Sequence, residues 1–254
     1  MFFELNLYSK ELKMNTPVNV ILPDRVEEGQ TYKTLWLLHG LKGDHTSWMR
    51  NSSIERYVHK YEIAVVMPSV QRSWYADTAY GMNYFSYITK ELPQICRSHF
   101  KGMSERREDN IIAGLSMGGY GALKGALRCP KQYGACIALS GALDITRKGR
   151  NLYTNEWRAL FDFELQDERE LEGGENDLFA LARKNKQEGL PFPKLYLWCG
   201  DQDTLLFNSE QFHALLEELE IPHHFSHSEG DHSWRWWDKQ IHPALSYVLE
   251  ELKR

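Results

Sequence analysis

The sequence predicts an α/β fold: a mostly parallel, doubly wound sheet in three layers, with an antiparallel pair of strands at the N-terminus. Three observations support this prediction. Several apolar runs are nearly continuous, which is typical of strands buried on both faces of a parallel sheet. Segments long enough for a crossover helix separate the later runs. The first run alternates instead, as expected of a half-exposed edge strand.

The predicted elements follow one another along the chain. The antiparallel pair comprises residues 3–7 and 18–22. Apolar runs mark the next strands, at 34–38, 63–67, 110–113, 136–139 and 194–199. A final strand carrying three histidines precedes a Trp-rich C-terminal helix. Apolar residues at helical spacing mark the clearest helices, at 84–100, 117–127 and 207–219.

Length and composition narrow the class of protein. A chain of 254 residues with an α/β pattern is expected to form a single domain, residues 1–254. Apolar residues make up 42% of the chain and charged residues 26%, which excludes collagen-like and disordered classes. The chain has 30 Lys and Arg against 35 Asp and Glu, a net charge of -5. We therefore expect no nucleic-acid partner, because such proteins are normally basic.

The sequence also bears on location. The N-terminus has an acidic fourth residue where a secretory signal needs a basic start followed by an apolar run. The uncharged run at 111–123 is shorter than the roughly 20 apolar residues of a membrane span. We therefore expect a cytoplasmic protein without a membrane partner, whose four cysteines are reduced. The oligomeric state stays open, a homo-oligomer included.

A stretch at about 145–190 departs from the alternation of strands and helices. Eight acidic residues and one base, Arg169, lie between Asp162 and Asp177. We interpret this stretch as a small acidic excursion near the site, with a solvated surface. The alternative is a mobile flap, since insertions in α/β folds often border the ligand crevice.

The motif Gly114-Leu115-Ser116-Met117-Gly118 follows a predicted buried strand and precedes a predicted helix. In that setting G-x-S-x-G forms a nucleophile elbow, in which small flanking residues let strand and helix approach and expose the serine. We therefore predict that Ser116 is a catalytic nucleophile. The alternative is a glycine-rich packing turn in which the serine only caps the helix.

A serine nucleophile needs a base and an acid that orients the base, and in this fold class the acid and then the histidine follow the serine. His232 lies in a turn-forming stretch after the last strand, where the base is needed. Asp201 and Asp203 both follow the strand at 194–199. Asp203 is favoured because it reaches further beyond the sheet edge, although spacing alone leaves both open.

The loop after the strand at 34–38 is expected to supply an oxyanion donor. Gly40 permits a tight turn that would direct the amide of Leu41 toward the same point as the amide of Met117. We interpret the neighbouring His39 as a residue that orders this loop through hydrogen bonds, rather than as a second base.

Two further groups of residues carry alternative interpretations. His223, His224 and His227 lack Cys or acidic partners at ligand spacing, which favours a solvated edge strand and no metal. Five aromatic residues are candidates either for a small acyl pocket or for the core. They are Trp48, Trp74, Tyr75, Tyr80 and Trp234.

Further motifs occur along nearly the whole chain, both around the predicted catalytic residues and away from them. They are Leu38-His39-Gly40, Ser73-Trp74-Tyr75-Ala76-Asp77-Thr78, Glu91-Leu92-Pro93, the elbow, Ser140-Gly141-Ala142-Leu143, Gly200-Asp201-Gln202-Asp203 and His232-Ser233-Trp234. Together they resemble the esterase D group of α/β hydrolases, and most closely its bacterial tributyrin esterase-like members. The resemblance implies a triad of Ser116, Asp203 and His232, with the amides of Leu41 and Met117 as oxyanion donors.

The resemblance further implies a serine carboxylesterase without a cofactor, which hydrolyses short-chain acyl esters of small molecules through an acyl-enzyme. Relatives of this kind also include S-formylglutathione hydrolases and esterases of feruloyl or acetylated-sugar esters, and these stay as alternatives. Transfer of the acyl group to an alcohol would use the same intermediate. A noncatalytic ligand-binding module on this fold is the rival from another class.

Overall fold

A computed structural model describes residues 1–146 and 154–250 of the chain. Within these residues, eight strands form one sheet in the order β1-β2-β4-β3-β5-β6-β7-β8. In chain order the strands are β1 (Phe2–Ser9), β2 (Met14–Ile21), β3 (Thr34–Leu38), β4 (Ala64–Pro68), β5 (Asn110–Leu115), β6 (Ala135–Leu139), β7 (Lys194–Gly200) and β8 (His223–Ser228).

The pairing of the strands confirms the predicted fold class. β1 pairs with β2 and β2 with β4 in antiparallel fashion, and every other neighbouring pair is parallel. The central strands β3 to β6 are buried along their length, whereas β1 alternates between exposed and half-buried side chains. This is the difference between a strand covered on both faces and an edge strand.

Helices cover both faces of the sheet. They are α1 (Ser47–Asn51), α2 (Ile54–His59), α3 (Tyr84–Ser86), α4 (Leu92–His99), α5 (Met117–Arg128), α6 (Thr154–Leu160), α7 (Leu178–Gln187), α8 (Leu206–Glu218) and α9 (Trp234–Glu250). One apolar cluster includes buried residues of α4, α5, α7 and α8. The other includes buried residues of α1, α2 and α9. No helix in the described ranges is both long and apolar enough to span a bilayer.

The segment predicted as one helix at 84–100 has a different structure. A π-helical turn at Tyr87–Glu91 separates α3 from α4. Pro93 has no amide hydrogen, so it cannot donate to the carbonyl of Thr89 as a regular α-helix requires. That carbonyl accepts a hydrogen bond from Gln132 Nε2 instead, at 2.9 Å.

The acidic excursion is partly helical. It contains α6, a short 3₁₀ turn at Glu168–Leu171 and α7. The side chains of Trp157 and Leu178 in this segment are buried in the core, while most of its acidic side chains are exposed. Residues 147–153 of the predicted excursion lie outside the described residues.

Candidate active site

The strand β5 ends at Leu115 and the helix α5 begins at Met117, so Ser116 alone makes the turn between them. Its backbone has φ 55° and ψ -120°, a conformation that L-residues rarely adopt. Hydrogen bonds hold it there: the Ser116 amide donates to the Leu139 carbonyl at 3.0 Å, and the Ser116 carbonyl accepts from Ala142 at 3.2 Å. The strained turn therefore fixes the direction of the serine side chain.

Two glycines make this turn sterically feasible. A Cβ at Gly114 would lie 2.3 Å from the carbonyl oxygen of Gly118, so only glycine lets α5 start this close to β5. A Cβ at Gly118 would lie 2.5 Å from the carbonyl oxygen of Leu38. The elbow is therefore packed directly against the end of β3, backbone to backbone.

Ser116, His232 and Asp203 come together at the carboxyl ends of the parallel strands. Ser116 Oγ lies 3.0 Å from His232 Nε2, and His232 Nδ1 lies 2.8 Å from Asp203 Oδ2. A neutral imidazole that donates from Nδ1 to the carboxylate presents an unprotonated Nε2 to the serine hydroxyl. The Asp203 side chain is fully buried, whereas that of His232 is 34% exposed.

The loops that carry the acid and the histidine are bonded to each other. The Gln202 amide donates to the Gly230 carbonyl at 2.8 Å, and the Gly230 amide donates to Gln202 Oε1 at 2.9 Å. A Cβ at Gly200 would lie 2.2 Å from the Gly230 carbonyl oxygen, so the two loops touch through their backbones. This pairing sets the distance between Asp203 and His232.

The environment of Asp203 keeps it ionised. Burial raises the pKa of this carboxyl group, but hydrogen bonds from His232, the Leu205 amide and Ser140 outweigh burial and hold the pKa below its usual value. Ser140 in turn accepts a hydrogen bond from Trp237 Nε1 at 3.0 Å. The Trp237 ring also lies nearly perpendicular to the His232 ring, at a centroid distance of 4.8 Å.

Asp201 has a different partner. It lies 2.7 Å from His227 Nδ1, and both side chains are substantially exposed, at 39% and 53%. Asp201 shares the loop of Asp203, but its imidazole partner His227 lies in β8, before the loop of His232. The structure brings Asp203, and not Asp201, against His232.

The two residues predicted to supply oxyanion amides, Leu41 and Met117, lie close to Ser116. Met117 is the first residue of α5, and amides in the first turn of a helix have no partner within the helix. Gly40 packs against the elbow, since a Cβ there would lie 3.4 Å from Ser116 Cβ. Leu41 follows directly and lines the same cavity as Ser116. Both predicted donors therefore lie beside the serine.

His39 orders this loop, as predicted. The Val70 amide donates to its Nε2 at 3.0 Å, so its Nδ1 carries the hydrogen and donates to the Gly40 carbonyl at 2.8 Å. Burial lowers the pKa of His39 to about 4, which keeps the ring neutral near pH 7. Tyr75 donates a further hydrogen bond to the His39 carbonyl, at 2.8 Å.

A cavity of about 590 Å³ opens above Ser116. This volume lies within the range of small-molecule sites. Residues of the β3–α1 loop and of α1 form one side, and the start of α9 forms the other. The lining residues are Gly40, Leu41, Lys42, Gly43, Asp44, Thr46, Ser47, Arg50, Asn51, Leu115, Ser116, His232, Ser233, Trp234 and Trp237.

Of the five aromatic residues considered for a pocket, Trp234 alone lines this cavity. Trp48 is buried beneath it, with its ring edge-on to Trp234 and its Nε1 donating to the Leu38 carbonyl. Trp74 and Tyr75 are buried in the core, and Tyr80 is exposed outside the cavity. For Trp48, Trp74 and Tyr75 the structure shows the core alternative, because large aromatic rings gain most by burial, and apolar character alone does not distinguish a cavity wall from a core.

Sequence reasoning missed the polar wall of the cavity. Lys42, Asp44, Thr46, Arg50 and Asn51 all line it. The available signal was their position in the segment that follows β3, at the same sheet edge as the serine: three lie in the loop, and Arg50 and Asn51 in α1. None of the described residues from 154 to 190 lines this cavity.

Comparison with known proteins places the chain in a family. The family model described as "Putative esterase" matches residues 9–248. The chain belongs to this esterase family. A curated relative, an acetyl esterase from Caldicellulosiruptor saccharolyticus, is 35% identical over 262 residues and covers 96% of this chain and 97% of the relative.

Solved structures agree with the family. The fluorophosphonate-binding serine hydrolase F of Staphylococcus aureus is 35% identical, with a TM-score of 0.89 over 98% of each chain. An S-formylglutathione hydrolase from the same organism is 33% identical, with a TM-score of 0.87 over 98% of each chain. This esterase therefore has the α/β-hydrolase fold and is a serine hydrolase that acts on carboxylic esters.

Proposed function

We propose that this esterase hydrolyses short-chain acyl esters, with acetyl esters as its main class, through Ser116, His232 and Asp203. One observation carries the proposal: two consecutive hydrogen bonds, of 3.0 and 2.8 Å, link the serine hydroxyl through the imidazole to a buried carboxylate. This arrangement provides a nucleophile, a base in contact with it and an acid that orients the base.

The first half of the reaction forms an acyl-enzyme. Ser116 Oγ attacks the acyl carbonyl while His232 Nε2 accepts the hydroxyl proton, and Asp203 stabilises the resulting imidazolium. The amides of Leu41 and Met117 donate to the oxyanion of the tetrahedral intermediate. When the intermediate collapses, the ester C–O bond breaks and His232 returns the proton to the leaving alcohol.

The second half releases the acid. A water molecule loses a proton to His232 Nε2 and attacks the acyl carbonyl, and Ser116 leaves with the proton that His232 returns. The net reaction is ester plus water to alcohol plus carboxylic acid. Each step uses side chains and backbone amides of the chain itself, so the mechanism requires no cofactor. An added alcohol that replaced the water would give acyl transfer instead.

Support for acetyl esters comes from the curated relative that is 35% identical over nearly the whole of both chains. Short acyl groups of the tributyrin type fall in the same class. The cavity adds a physical argument: its wall next to Ser116 combines Leu41 and Trp234 with polar side chains. A short acyl chain can contact the apolar part while a polar alcohol group faces the rest.

S-formylglutathione is the second candidate substrate. Two cationic residues, Lys42 and Arg50, line the cavity and have exposed side chains. Glutathione carries carboxylates that such groups recognise. The S-formylglutathione hydrolase from S. aureus that is 33% identical also favours it. Feruloyl and acetylated-sugar esters remain further alternatives for the same chemistry.

A substrate panel tests the proposal. Values of kcat/KM are measured for p-nitrophenyl acetate to octanoate, methyl ferulate, an acetylated sugar and S-formylglutathione. We expect acetate to be among the best substrates and the rate to fall with chain length. Preference for S-formylglutathione by more than about tenfold would favour the second candidate, since tenfold corresponds to about 1.4 kcal/mol of binding in the transition state.

Labelling of the folded chain with a fluorophosphonate probe tests the nucleophile directly. We expect one adduct, on Ser116, and none in Ser116→Ala. A folded wild-type chain without an adduct would contradict the catalytic role and favour a noncatalytic binding module.

We also propose that residues 1–254 act as one cytoplasmic domain, with the acidic excursion near the site. The four cysteines, Cys96, Cys129, Cys136 and Cys199, are free thiols, and all but Cys129 are buried. Free thiols are typical of a reducing compartment. Burial raises the pKa of Cys96 and of Cys199 to about 12, which makes them unreactive.

A further inference from the structure

Three potential metal ligands meet where α8 packs beside β8. His213 and Glu217 are one turn apart on α8, so their side chains share one face of the helix. His223 is the first residue of β8. One ligand atom from each side chain can be chosen so that all three lie within 4.8 Å of one another.

The imidazole of His223 is held in the orientation of a metal ligand. Its Nδ1 lies 2.7 Å from the Ile221 carbonyl oxygen, which can only accept a hydrogen bond. The proton of the neutral ring is therefore on Nδ1, and the lone pair of Nε2 faces α8. Only 2% of this side chain is exposed. Histidine ligands of metals characteristically donate their other ring nitrogen to a carbonyl or carboxylate in this way.

The other two groups converge on that lone pair. His213 Nδ1 lies 2.7 Å from His223 Nε2, and Glu217 Oε1 lies 3.8 Å from it. The His213 ring is stacked on Phe225, with centroids 4.6 Å apart, which limits its rotation. Two imidazole nitrogens and one carboxylate oxygen thus face a common point.

We propose that His213, Glu217 and His223 form a binding site for a divalent transition-metal ion of the zinc class. Imidazole suits Zn²⁺, Ni²⁺ and Cu²⁺, and two histidines with one carboxylate are a known zinc donor set. The ligands are His213 Nδ1, His223 Nε2 and a carboxylate oxygen of Glu217. Without the ion, His213 Nδ1 carries the hydrogen that it donates to His223 Nε2, and on metal binding the His213 ring changes to the tautomer protonated on Nε2. Water occupies the fourth position of the tetrahedron.

Two of the three ligand–ligand separations need only a small adjustment. Zinc–nitrogen bonds of about 2.0–2.1 Å in a tetrahedron place the two nitrogens roughly 3.3 Å apart. The His213–His223 separation of 2.7 Å must therefore widen and the Glu217–His223 separation of 3.8 Å must shorten, each by about half an ångström. Glu217 is 66% exposed, so rotation of its side chain can bring the carboxylate closer to both imidazoles, from which it lies within 4.8 Å. The widening between the two nitrogens must come from small movements of the His213 and His223 rings.

This site departs from the expectation that the histidines of the last strand bind no metal. That expectation considered residues 223–227 alone, where acidic partners are missing. β8 is indeed the edge strand of the sheet, but the fold places His213 and Glu217 of α8 beside its first residue. The spacing of residues within one strand does not show which residues of a neighbouring helix pack beside that strand.

The position of the site determines what the metal does. His223 begins β8, whereas His232 follows the opposite end of that strand. An ion bound here connects α8 to the edge strand at the end of the sheet away from Ser116. We therefore expect it to stabilise the fold without taking part in ester hydrolysis.

Zinc titration of the chelator-treated full chain tests the site. Zn²⁺ binding is followed by competition with a chromogenic chelator, and Co²⁺ is used as a spectroscopic substitute. Glu217→Gln is the main variant because its side chain is exposed and the substitution preserves its shape. His223→Gln is the second variant, and a thermal melt in EDTA checks that each is folded. His227→Gln is the matched control: it removes another β8 histidine, which pairs with Asp201 instead.

We expect one equivalent of Zn²⁺ to bind, with affinity lowered at least about tenfold in Glu217→Gln and His223→Gln and unchanged in His227→Gln. Zinc at about 100 times Kd should raise the wild-type Tm by about 5–10 °C, and p-nitrophenyl acetate turnover should stay the same in Glu217→Gln. Equal affinity in wild type and Glu217→Gln would overturn the proposal. So would the absence of Zn²⁺ binding at micromolar concentration, which would leave His213 and His223 as a hydrogen-bonded pair only.

Discussion

The two sides of the cavity above Ser116 are built differently. On the triad side, the elbow packs backbone to backbone against β3, and hydrogen bonds fix Ser116, His232 and Asp203 to one another. On the opposite side, Lys42 and Arg50 line the cavity with exposed side chains. From this contrast we expect the tightly packed backbone to set the geometry of the triad and the exposed side chains to influence which ester binds.

The largest effect is expected from removing the nucleophile. Ser116→Ala should lower kcat for p-nitrophenyl acetate by about four orders of magnitude or more, because no other group on the triad side can form the acyl-enzyme. Steady-state kinetics with an active-site titration measure this loss. A decrease of only a few fold would mean that the tightly packed side does not carry the chemistry.

The two aspartates after β7 provide the next test. Asp203→Asn should lower kcat by about 10³–10⁴-fold, because an amide cannot stabilise the imidazolium or fix the tautomer of His232. Asp201→Asn is the matched control, since Asp201 pairs with His227, and should change kcat by less than about twofold. The reverse order of effects would assign the acid to Asp201.

A buried lysine lies in α5, the helix that begins at the nucleophile elbow. Lys124 Nζ, on α5, donates to the Tyr75 carbonyl at 3.0 Å and to Asn176 Oδ1 at 2.6 Å. Burial lowers the pKa of Lys124 to about 7, and the charge of Arg128 contributes in the same direction. Between pH 7 and about 10 the lysine is therefore protonated in the unfolded chain but neutral in the folded one.

This difference in protonation makes the free energy of unfolding rise with pH above 7. From pH 7 to pH 9, the wild type should gain about 2 kcal/mol relative to Lys124→Met, which has no group to titrate there. Urea denaturation of both chains at the two pH values measures the change. A constant difference between the chains would show that Lys124 keeps its proton in the folded state.

The smallest effects are expected on the exposed side of the cavity. Lys42→Ala and Arg50→Ala should each raise KM for S-formylglutathione by about two- to fivefold, because an exposed ion pair with a substrate carboxylate contributes about 1 kcal/mol or less. Both variants should leave kcat/KM for the uncharged p-nitrophenyl acetate unchanged. Equal losses for both substrates would mean that these side chains act on the triad rather than on the alcohol or thiol group.

Much of the fold could be predicted because its cause is local. Continuous apolar runs predicted the parallel strands β3 to β7, and alternation predicted the half-exposed β1. The meeting of Ser116, Asp203 and His232 also followed from topology, since each lies just beyond the carboxyl end of a parallel strand. The order of the strands and helices along the chain is therefore enough to predict that these three residues lie at the same edge of the sheet.

Other features depend on contacts between distant segments, which a single sequence does not contain. Trp48 and Trp234 look alike in the sequence, yet one is buried beneath the cavity and the other lines it. The π-helical turn before Pro93 depends on Gln132, which binds the Thr89 carbonyl from a loop beyond α5. The short helices α1 and α2 have too few residues for an apolar period to stand out.

The second imidazole–carboxylate pair, His227 with Asp201, gives the protein an internal reference for spectroscopy. Both this pair and His232 with Asp203 place an Nδ1 within 2.8 Å of a carboxylate oxygen, but only His232 has a serine hydroxyl beside it. Phosphonylation of Ser116 should therefore move the proton resonance of one ring and leave that of the other in place. In a single NMR sample, the His232 resonance thus reports the reaction with the inhibitor, and the His227 resonance serves as the unchanged reference.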